Sequence, residues 1–381
     1  MSGFPVRFRL SPAPVSGRLW GMKPRLTLGV MAAAVGLGAS AQADVSGLVP
    51  ADAPSVVYEG RYVVDADGSV RLGFPGVTAH VRFEGRSLSL TARTVAESLV
   101  DVSVDGGAYV QLRLRPGENT YPLVEDAGVV RRHTVDLVRC DESWQGICTL
   151  VGFNAGPGGS LIAPVDPPVR KLMFIGDSVT CGAMDAWIPG HVLTERNNSN
   201  ARLSYGMIVA RELNAQCALV SYGGRGVIRD WQGIRDTRNA PQFYELALPD
   251  DTTIPWQHAR YVPDAIGIQL GTNDFSQGIP DQNEFVNAYV EFVRKIRRDA
   301  PSALIFLMDS PILGDDTEKG PRRSALHAYL LEIVARVGSP RVIQAPLSHY
   351  PGVPGNGHPT GEEHKAMAAE LEPLLRRELG W

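Results

Sequence analysis

The chain has few cysteines: there are four in 381 residues, and no two of them form a C-x-x-C pair. A disulfide-built scaffold is therefore excluded, and the sequence gives no sign of a cysteine-based zinc or redox site. A disulfide between Cys140 and Cys148, across a short connection between strands, is left open for an oxidising compartment. Cys181 and Cys217 are expected to be small buried residues.

Long apolar runs are absent beyond residue 43. Before it, an alanine-rich apolar segment over residues 26–39 leads to small residues at 41–43, and residues 1–43 carry five Lys or Arg and no Asp or Glu. A charged start, an apolar middle and small residues at the end are typical of a secretory signal peptide, which we predict is cleaved after Ala43. A start at Met22 gives a signal of ordinary length, which leads to the hypothesis that residues 1–21 come from an upstream start and are not translated.

The alternative for this segment is a membrane anchor. The apolar stretch is shorter than the ~20 residues that cross a bilayer, and glycines interrupt it. No later segment is long or apolar enough to span. We therefore expect a secreted or periplasmic protein with no membrane attachment after cleavage. The sequence leaves the oligomeric state open.

Positive charge is scarce once this segment is removed. The formal charge falls from −4 to −9, because the segment takes away five cations and no anions. Such a surface repels nucleic acid and anionic membranes, so we expect a neutral substrate and no nucleic-acid partner. The 338 residues from 44 to 381 suggest two domains with ample core.

From residue 56 to about 153 the apolar residues alternate with a period of two, as in Val100-Asp101-Val102-Ser103-Val104. Turn signals such as Asp105-Gly106-Gly107 separate these runs, and no helical pattern interrupts them. Many short strands divided by turns predict an antiparallel β-sandwich, and we expect a jelly roll over residues 44–165. A Gly/Pro-rich connector over residues 155–168 marks the end of this domain.

In residues 166–381 short apolar runs alternate with helical patterns. Continuous apolar strands between helices predict a parallel sheet with helices on both faces, an α/β domain of three layers. The predicted strands are at about residues 172–175, 218–222, 265–270, 304–308 and 342–345, and the predicted helices at about 204–214, 284–299, 323–337 and 361–379.

Small or polar residues follow three of these strands. Gly176-Asp177-Ser178 follows the first, Gly223-Gly224 the second and Gly271-Thr272-Asn273-Asp274 the third, while His358 lies in the loop before the last helix. Because parallel strands end at one edge of the sheet, these groups are expected to meet there. A serine needs a base to remove its proton, and histidine titrates near neutrality, so the set predicts acyl transfer with Ser178 as nucleophile and His358 as base.

The tetrahedral intermediate of acyl transfer needs hydrogen-bond donors for its oxyanion. The predicted donors are the backbone N–H groups of Ser178 and Gly224 and the side-chain amide of Asn273. Gly224 fits this role because the lack of a Cβ lets the backbone approach a substrate. The structural alternatives are a helix cap for Ser178 and a turn for Asn273, and Asp177 is expected to be a structural hydrogen-bonding residue.

These blocks resemble, in order, those of the SGNH (GDSL-type) hydrolases. The resemblance is closest to carbohydrate esterase family 2, secreted deacetylases with a jelly-roll domain ahead of the SGNH domain. Supporting stretches include Asp-Glu-Ser-Trp-Gln-Gly at 141–146 and Leu-Gly-Thr-Asn-Asp-Phe-Ser at 270–276. The resemblance covers nearly all of residues 44–381. It implies a Ser-His esterase that removes acetyl groups from a plant-type polysaccharide and uses no cofactor.

One position departs from the SGNH pattern. The aspartate that usually stands three residues before the catalytic histidine is replaced here by Gly355. A triad aspartate fixes the histidine tautomer and stabilises the imidazolium. Carbohydrate esterase family 2 includes members that use a backbone carbonyl instead. The resemblance therefore implies a Ser-His dyad, with a carbonyl of residues 355–357 as acceptor for the Nδ1 proton of His358.

Three further residues are candidates for substrate binding. The long loop over residues 183–200 contains Asp185 and Trp187, and Trp231 is a candidate for stacking on a sugar ring or for burial in the core. A metal site at His358 and His364 is disfavoured, since their spacing is not that of H-E-x-x-H. Two alternative functions remain: an SGNH lipase, thioesterase or arylesterase, and a carbohydrate-binding protein without activity.

Overall fold

The computed structural model describes residues 47–126, 128–191, 198–316 and 318–381. The predicted signal peptide and its cleavage site lie outside these residues. The described residues from 47 onward pack as one unit. No helix in the described part of the chain has the length and apolar character needed to cross a membrane.

The first half consists of short strands whose side chains alternate between the core and the surface. In the fifth strand Ala79, Val81 and Phe83 are buried while Arg82 and Glu84 are half-exposed, as the period of two predicts. The strands are β1 Val49–Pro50, β2 Val56–Glu59, β3 Tyr62–Val64, β4 Val70–Leu72, β5 Thr78–Gly85, β6 Leu88–Thr94, β7 Ser98–Val104, β8 Val110–Leu114, β9 Gly117–Val124, β10 Arg131–Arg139, β11 Cys148–Asn154 and β12 Ser160–Leu161.

These strands form two antiparallel sheets. One has the order β3-β4-β11-β6-β9 with β1 beside β11, and the other has the order β12-β5-β10-β7-β8 with β2 beside β5. From β4 to β11 the chain passes back and forth between the sheets, except at the β7–β8 hairpin. This exchange of strands between two packed sheets is the jelly-roll arrangement. The predicted fold of this half is confirmed.

The second half begins after the Gly/Pro-rich connector and alternates strands with helices. Two short hairpins, over residues 246–255 and 315–321, form separate two-stranded sheets beside the main sheet. The elements are β13 Arg170–Gly176, α1 Ser178–Cys181, α2 Tyr205–Glu212, β14 Ala215–Ser221, α3 Ala240–Phe243, β15 Leu246–Leu248, β16 Asp251–Pro255, β17 Ala265–Gln269, α4 Gln282–Asp299, β18 Leu304–Met308, β19 Asp315–Asp316, β20 Gly320–Pro321, α5 Arg322–Val337, β21 Val342–Ala345 and α6 Gly361–Leu379.

The main sheet is parallel throughout and has the order β14-β13-β17-β18-β21. Both of its faces are covered. Met173 and Ile175 of β13 share one core cluster with α4 and α5, while Leu172 and Phe174 pack on the other face with α2 and α6. This is the predicted three-layer α/β domain. The strand order reverses beside β13, and ligands of such sheets bind at the carboxyl ends of the strands next to the reversal.

The two halves are joined by buried polar contacts as well as by apolar packing. Arg61 of the sandwich is buried, and its Nη1 donates to the carbonyl oxygens of Tyr244 at 2.6 Å and Leu246 at 2.8 Å. Its guanidinium also lies over the rings of Phe74, Tyr244 and Trp256. A guanidinium is hydrated weakly enough to be placed between aromatic rings in this way. The sandwich is therefore held in a fixed position beside the α/β domain.

All four cysteines are free and buried, so the disulfide that the sequence left open between Cys140 and Cys148 is not formed in this structure. Cys140 follows β10 in one sheet of the sandwich, whereas Cys148 begins β11 in the other sheet. A 3-10 turn, Ser143–Gln145, lies between them. The connection is therefore a passage between sheets and not a hairpin that would place the two thiols opposite each other.

Candidate active site

Ser178 lies directly after β13, at the start of the short helix α1. Asp177 precedes it and caps this helix, since its Oδ1 accepts from the backbone N–H of Val179 at 3.0 Å. The carboxyl of Asp177 is fully buried, and burial raises its pKa to about 7. Helix capping was the structural alternative for Ser178, and it is Asp177 that has this role. Ser178 itself is half-exposed at the edge of the sheet.

His358 approaches Ser178 from the loop that precedes α6. Its Nε2 lies 2.8 Å from Ser178 Oγ, although the two residues are 180 positions apart in the chain. The helix start fixes the loop: Glu363 N–H donates to Thr360 Oγ1, and Glu363 Oε2 accepts from Thr360 N–H at 2.7 Å. The loop closes on itself through Val353 N–H, which donates to His358 O at 2.7 Å. The predicted pair is therefore brought within hydrogen-bonding distance.

Nδ1 of His358, the imidazole nitrogen that does not face Ser178, has a side chain as its hydrogen-bond partner. Asn356 Oδ1 lies 2.5 Å from His358 Nδ1 and also accepts from the backbone N–H of His358 at 3.3 Å. The expectation of a backbone carbonyl from residues 355–357 is therefore wrong for this structure. Gly355 is exposed, has a φ of +79°, and no atom lies within 4 Å of a Cβ built on it. An acceptor two residues before the histidine replaces the missing aspartate because the turn directs residue 356 to the ring.

An amide oxygen carries no net charge, and this affects the basicity of the histidine. Loss of solvation lowers the pKa of His358 to about 4, and no carboxylate opposes this effect. The imidazole is therefore neutral over most of the pH range, with Nδ1–H directed to Asn356 and the lone pair of Nε2 directed to the serine hydroxyl. This is the tautomer that a general base requires.

Asn273 follows β17 at the same edge of the sheet and lies on the wall of the cavity around Ser178. Its Nδ2 donates to Arg225 O at 2.9 Å and lies 3.4 Å from Asp177 Oδ2. The first bond holds the amide against the loop that follows β14. The second contact is long and therefore weak, so an oxyanion can compete with Asp177 for this N–H.

The loop that carries Gly224 is fixed by Asp274. The buried carboxylate of Asp274 accepts three successive backbone N–H groups, those of Val227, Ile228 and Arg229, at 2.8 to 3.3 Å. Burial raises the pKa of this carboxyl to about 6. Asp274 was not among the predicted site residues. The sequence places it beside Asn273, but it does not show that residues 227–229 turn back over it.

The residues around Ser178 enclose an open cavity of about 530 Å³, a size in the usual range for small-molecule sites. The α/β domain provides most of its wall, and the sandwich provides Glu142 and Trp144. Trp231 is 55% exposed and belongs to this wall, so the structure places it at the cleft and not in the core. The lining residues are Glu142, Trp144, Ser178, Ala183, Gly223, Gly224, Trp231, Thr272, Asn273, Ile312, Asn356 and His358.

Asp185 and Trp187 do not line this cavity, and their predicted placement at the cleft is wrong. Asp185 is only 3% exposed, its Oδ1 accepts from the N–H of Asn200 at 2.8 Å, and burial raises the pKa of its carboxyl well above the usual range. Both residues line a separate cavity beside the start of α6. A bond within the loop accompanies this placement: Ala186 N–H donates to Asn198 O at 2.9 Å.

The metal alternative finds no support at the two histidines. His364 is fully buried in α6, where its Nδ1 accepts from the N–H of Tyr205 at 3.1 Å. In the described part of the chain one group has a spacing suited to a metal: Glu245, His258 and Asp299. The ammonium of Lys295 lies 2.8 Å from Glu245 and 2.6 Å from Asp299 and supplies positive charge there.

A parallel α/β sheet that brings a serine, a glycine loop, an asparagine and a histidine to its carboxyl edge defines an SGNH, or GDSL-type, ester hydrolase. Known protein families match both halves of the chain and agree with this class. Residues 174–366 match the GDSL-like lipase/acylhydrolase family, and residues 58–164 match the N-terminal domain of carbohydrate esterase 2.

Individual relatives narrow the assignment. The chain is 37% identical over 339 residues to an acetylxylan esterase/glucomannan deacetylase of Cellvibrio japonicus, an alignment that covers 87% of this chain and 91% of the relative. The solved structure of a family two carbohydrate esterase from the same organism is 35% identical, covers 88% of this chain and 98% of its own, and has a TM-score of 0.82. A family two esterase from Clostridium thermocellum in complex with cellohexaose is 28% identical, covers 86% and 99%, and has a TM-score of 0.79. The protein belongs to carbohydrate esterase family 2 and is a carboxylic ester hydrolase.

Proposed function

We propose that the protein removes O-acetyl groups from polysaccharides or oligosaccharides of the xylan and glucomannan type. The observation that carries this proposal is the 2.8 Å contact between Ser178 Oγ and His358 Nε2 in an open cavity. The substrate class is supported by the relative named as an acetylxylan esterase/glucomannan deacetylase and by the family two structure with bound cellohexaose. The negative charge of residues 44–381 also favours a neutral substrate.

In the first half-reaction Ser178 Oγ attacks the acetyl carbonyl carbon while His358 Nε2 takes the hydroxyl proton. The carbonyl oxygen becomes an oxyanion, which the N–H groups of Ser178 and Gly224 and the amide of Asn273 stabilise. Asn356 holds the imidazole in place through Nδ1. The intermediate then collapses: the C–O bond to the sugar breaks, His358 returns the proton to the sugar oxygen, and the acetyl group stays on Ser178.

In the second half-reaction water replaces the sugar. His358 takes a proton from the water, the resulting hydroxide attacks the acetyl carbon, and the same donors stabilise the second oxyanion. Collapse of this intermediate breaks the ester to Ser178, and His358 returns the proton to the serine oxygen. The products are acetate, a deacetylated sugar and the free enzyme.

Removal of the Asn273 amide tests the oxyanion role. Asn273→Ala is expected to lower kcat for acetate release by about 10²-fold, because one preorganised donor is lost where charge develops. Steady-state kinetics on an acetylated oligosaccharide measure the effect. An increase of KM at unchanged kcat would assign Asn273 to ground-state binding instead.

We also propose that the protein is exported by way of residues 1–43, on the grounds of their charge and apolar pattern. N-terminal sequencing of the protein recovered outside the cytoplasm is expected to begin at Asp44. A mature chain that retains the apolar segment would contradict this cleavage site.

A substrate panel tests the proposed function as a whole. Acetate release from acetylated xylan and acetylated glucomannan is compared with hydrolysis of long-chain esters, thioesters and aryl esters under the same conditions. We expect the highest kcat/KM on an acetylated carbohydrate. Preference for a non-carbohydrate ester would support the lipase, thioesterase or arylesterase alternative. Binding of the polysaccharide with no release from any ester would support the inactive binding protein.

A further inference from the structure

The segment over residues 141–146 carries the sandwich to the edge of the Ser178 cavity. It connects β10 to β11 and contains the 3-10 turn Ser143–Gln145. The hydroxyl of Ser143 donates to the carbonyl oxygen of Ser221 at 2.6 Å. Ser221 ends β14, directly before the loop with Gly223 and Gly224. The segment is thus attached to the strand that delivers one of the proposed oxyanion donors.

The backbone of this segment is fixed by a buried guanidinium. Arg139 donates to the carbonyl oxygens of Asp141 at 2.9 Å, Glu142 at 3.2 Å and Gly146 at 2.5 Å. The side-chain oxygen of Gln145 accepts from the N–H of Glu142 at 2.8 Å. These bonds fix the backbone of a short turn, so the direction of each Cα–Cβ bond on it is set before a ligand arrives.

The side chain of Trp144 on this rigid turn is exposed to solvent. Asp141, Glu142, Ser143 and Gln145 are between 1% and 6% exposed, whereas Trp144 is 42% exposed. Burying an indole is strongly favourable, so a rigid turn that leaves one accessible to solvent forgoes part of that stabilisation. The exposed ring belongs to the wall of the cavity that contains Ser178 and His358.

The indole lies against the backbone of the glycine loop. A Cβ built on Gly223 would lie 3.3 Å from Trp144 Cδ1 and only 2.3 Å from a carboxylate oxygen of Glu142. A Cβ on Gly224 would lie 2.9 Å from Trp231 Cδ1. Each of two consecutive glycines therefore contacts one indole, and the two rings come from different halves of the molecule. Both rings line the cavity that contains the proposed nucleophile, so a ligand bound in that cavity can contact them.

We propose that Trp144 is a sugar-binding residue that the sandwich contributes to the active site. Its indole packs on the C–H face of a pyranose ring next to the acetylated sugar. The polysaccharide is thereby bound at the sugar adjacent to the ester. This inference rests on the proposed function, because it assumes a carbohydrate ester as substrate. It assigns to the sandwich a part in catalytic specificity, since the α/β domain alone lacks this wall of the cavity.

The test compares Trp144→Ala and Trp144→Phe with the wild type on acetylated xylo-oligosaccharides of increasing length and on triacetin, a small ester without a sugar ring. The ratio of kcat/KM on a long oligosaccharide to kcat/KM on triacetin is expected to fall about tenfold in Trp144→Ala, mainly through KM. Trp144→Phe retains a flat ring and is expected to recover much of this ratio. Val95→Ala, at a sandwich residue that is 94% exposed, serves as the control and is expected to preserve the ratio.

The outcomes separate the possible failures. Equal losses on both substrates in Trp144→Ala would show that the indole only supports the glycine loop, and an unchanged ratio would show that it does not contact the sugar; either result overturns the inference. A wild type that hydrolyses triacetin but releases no acetate from any carbohydrate would instead overturn the proposed function. Thermal unfolding of each variant verifies that the fold is retained.

Discussion

Replacement of Ser178 by alanine is expected to lower acetate release by at least about 10⁴-fold, because it removes the hydroxyl that forms the acyl-enzyme. Ser178 Oγ is the hydroxyl in contact with His358 Nε2, at 2.8 Å. Binding of an oligosaccharide to the variant should persist, since the lost atom takes part in bond formation more than in ground-state contacts. Acetate release measures the rate, and titration calorimetry with the same substrate measures the affinity.

A matched serine provides the control. Ser302 is exposed just before β18, at the amino end of the sheet and opposite the candidate site. Ser302→Ala is expected to leave kcat and KM unchanged. Rapid quench of the wild type followed by mass spectrometry should detect one acetyl group on the peptide that contains Ser178. Activity of Ser178→Ala equal to that of the wild type would remove Ser178 from the mechanism.

The second large effect is expected at Asn356. Asn356→Ala removes the acceptor 2.5 Å from His358 Nδ1 and leaves the imidazole free to rotate or to adopt the wrong tautomer. A loss of kcat on the order of 10³-fold is expected, less than the ~10⁴-fold that follows when a triad aspartate becomes an amide, because asparagine supplies orientation without charge. The fold should be retained, since residue 356 is exposed.

The substitution Asn356→Asp tests the contact through the pH dependence of kcat/KM. A purely structural role of Asn356 would not change that pH dependence. In the wild type the acid limb of kcat/KM should lie at low pH, because His358 titrates with a pKa of about 4 and is the active, neutral base above it. A carboxylate beside Nδ1 favours the imidazolium and raises this pKa, so the acid limb is expected to move upward by about one to three pH units. A pH profile of kcat/KM for both proteins measures the shift. An acid limb that stays in place, together with full activity of Asn356→Ala, would show that Asn356 does not act on the histidine.

The orientation of His358 illustrates what sequence patterns leave undetermined. The pattern directs attention to position 355, where SGNH enzymes carry aspartate, and the resemblance indicates a backbone carbonyl there. The acceptor is instead the side chain of Asn356, because left-handed turns at Gly355 and Gly357 bring residue 356 back to the ring. A shift of one residue in the loop changes which acceptor faces Nδ1 of His358. The amino-acid composition of the loop does not determine which residue of the turn points at the ring.

The loop over residues 183–200 illustrates the same limit. Its length and its polar and aromatic residues favour a position at the cleft, yet Asp185 is buried and Trp187 lines another cavity. Trp144 lies on the wall of the Ser178 cavity, although in the sequence it stands out only as part of a stretch that resembles the family. Which tryptophan reaches the site depends on how the sandwich is packed on the α/β domain, and no local pattern records that packing.

The sequence by itself determined the two halves of the molecule and the residues delivered to the edge of the sheet. A period of two and a period of 3.6 follow from local backbone geometry, and parallel strands must end at one edge, so Ser178, Gly224 and Asn273 could be placed together without coordinates. Only the tertiary structure decided the partner of His358 Nδ1 and the contribution of the sandwich. Those contacts join segments that are distant in the chain, or depend on one turn of a loop, and their geometry is set by packing over the whole molecule.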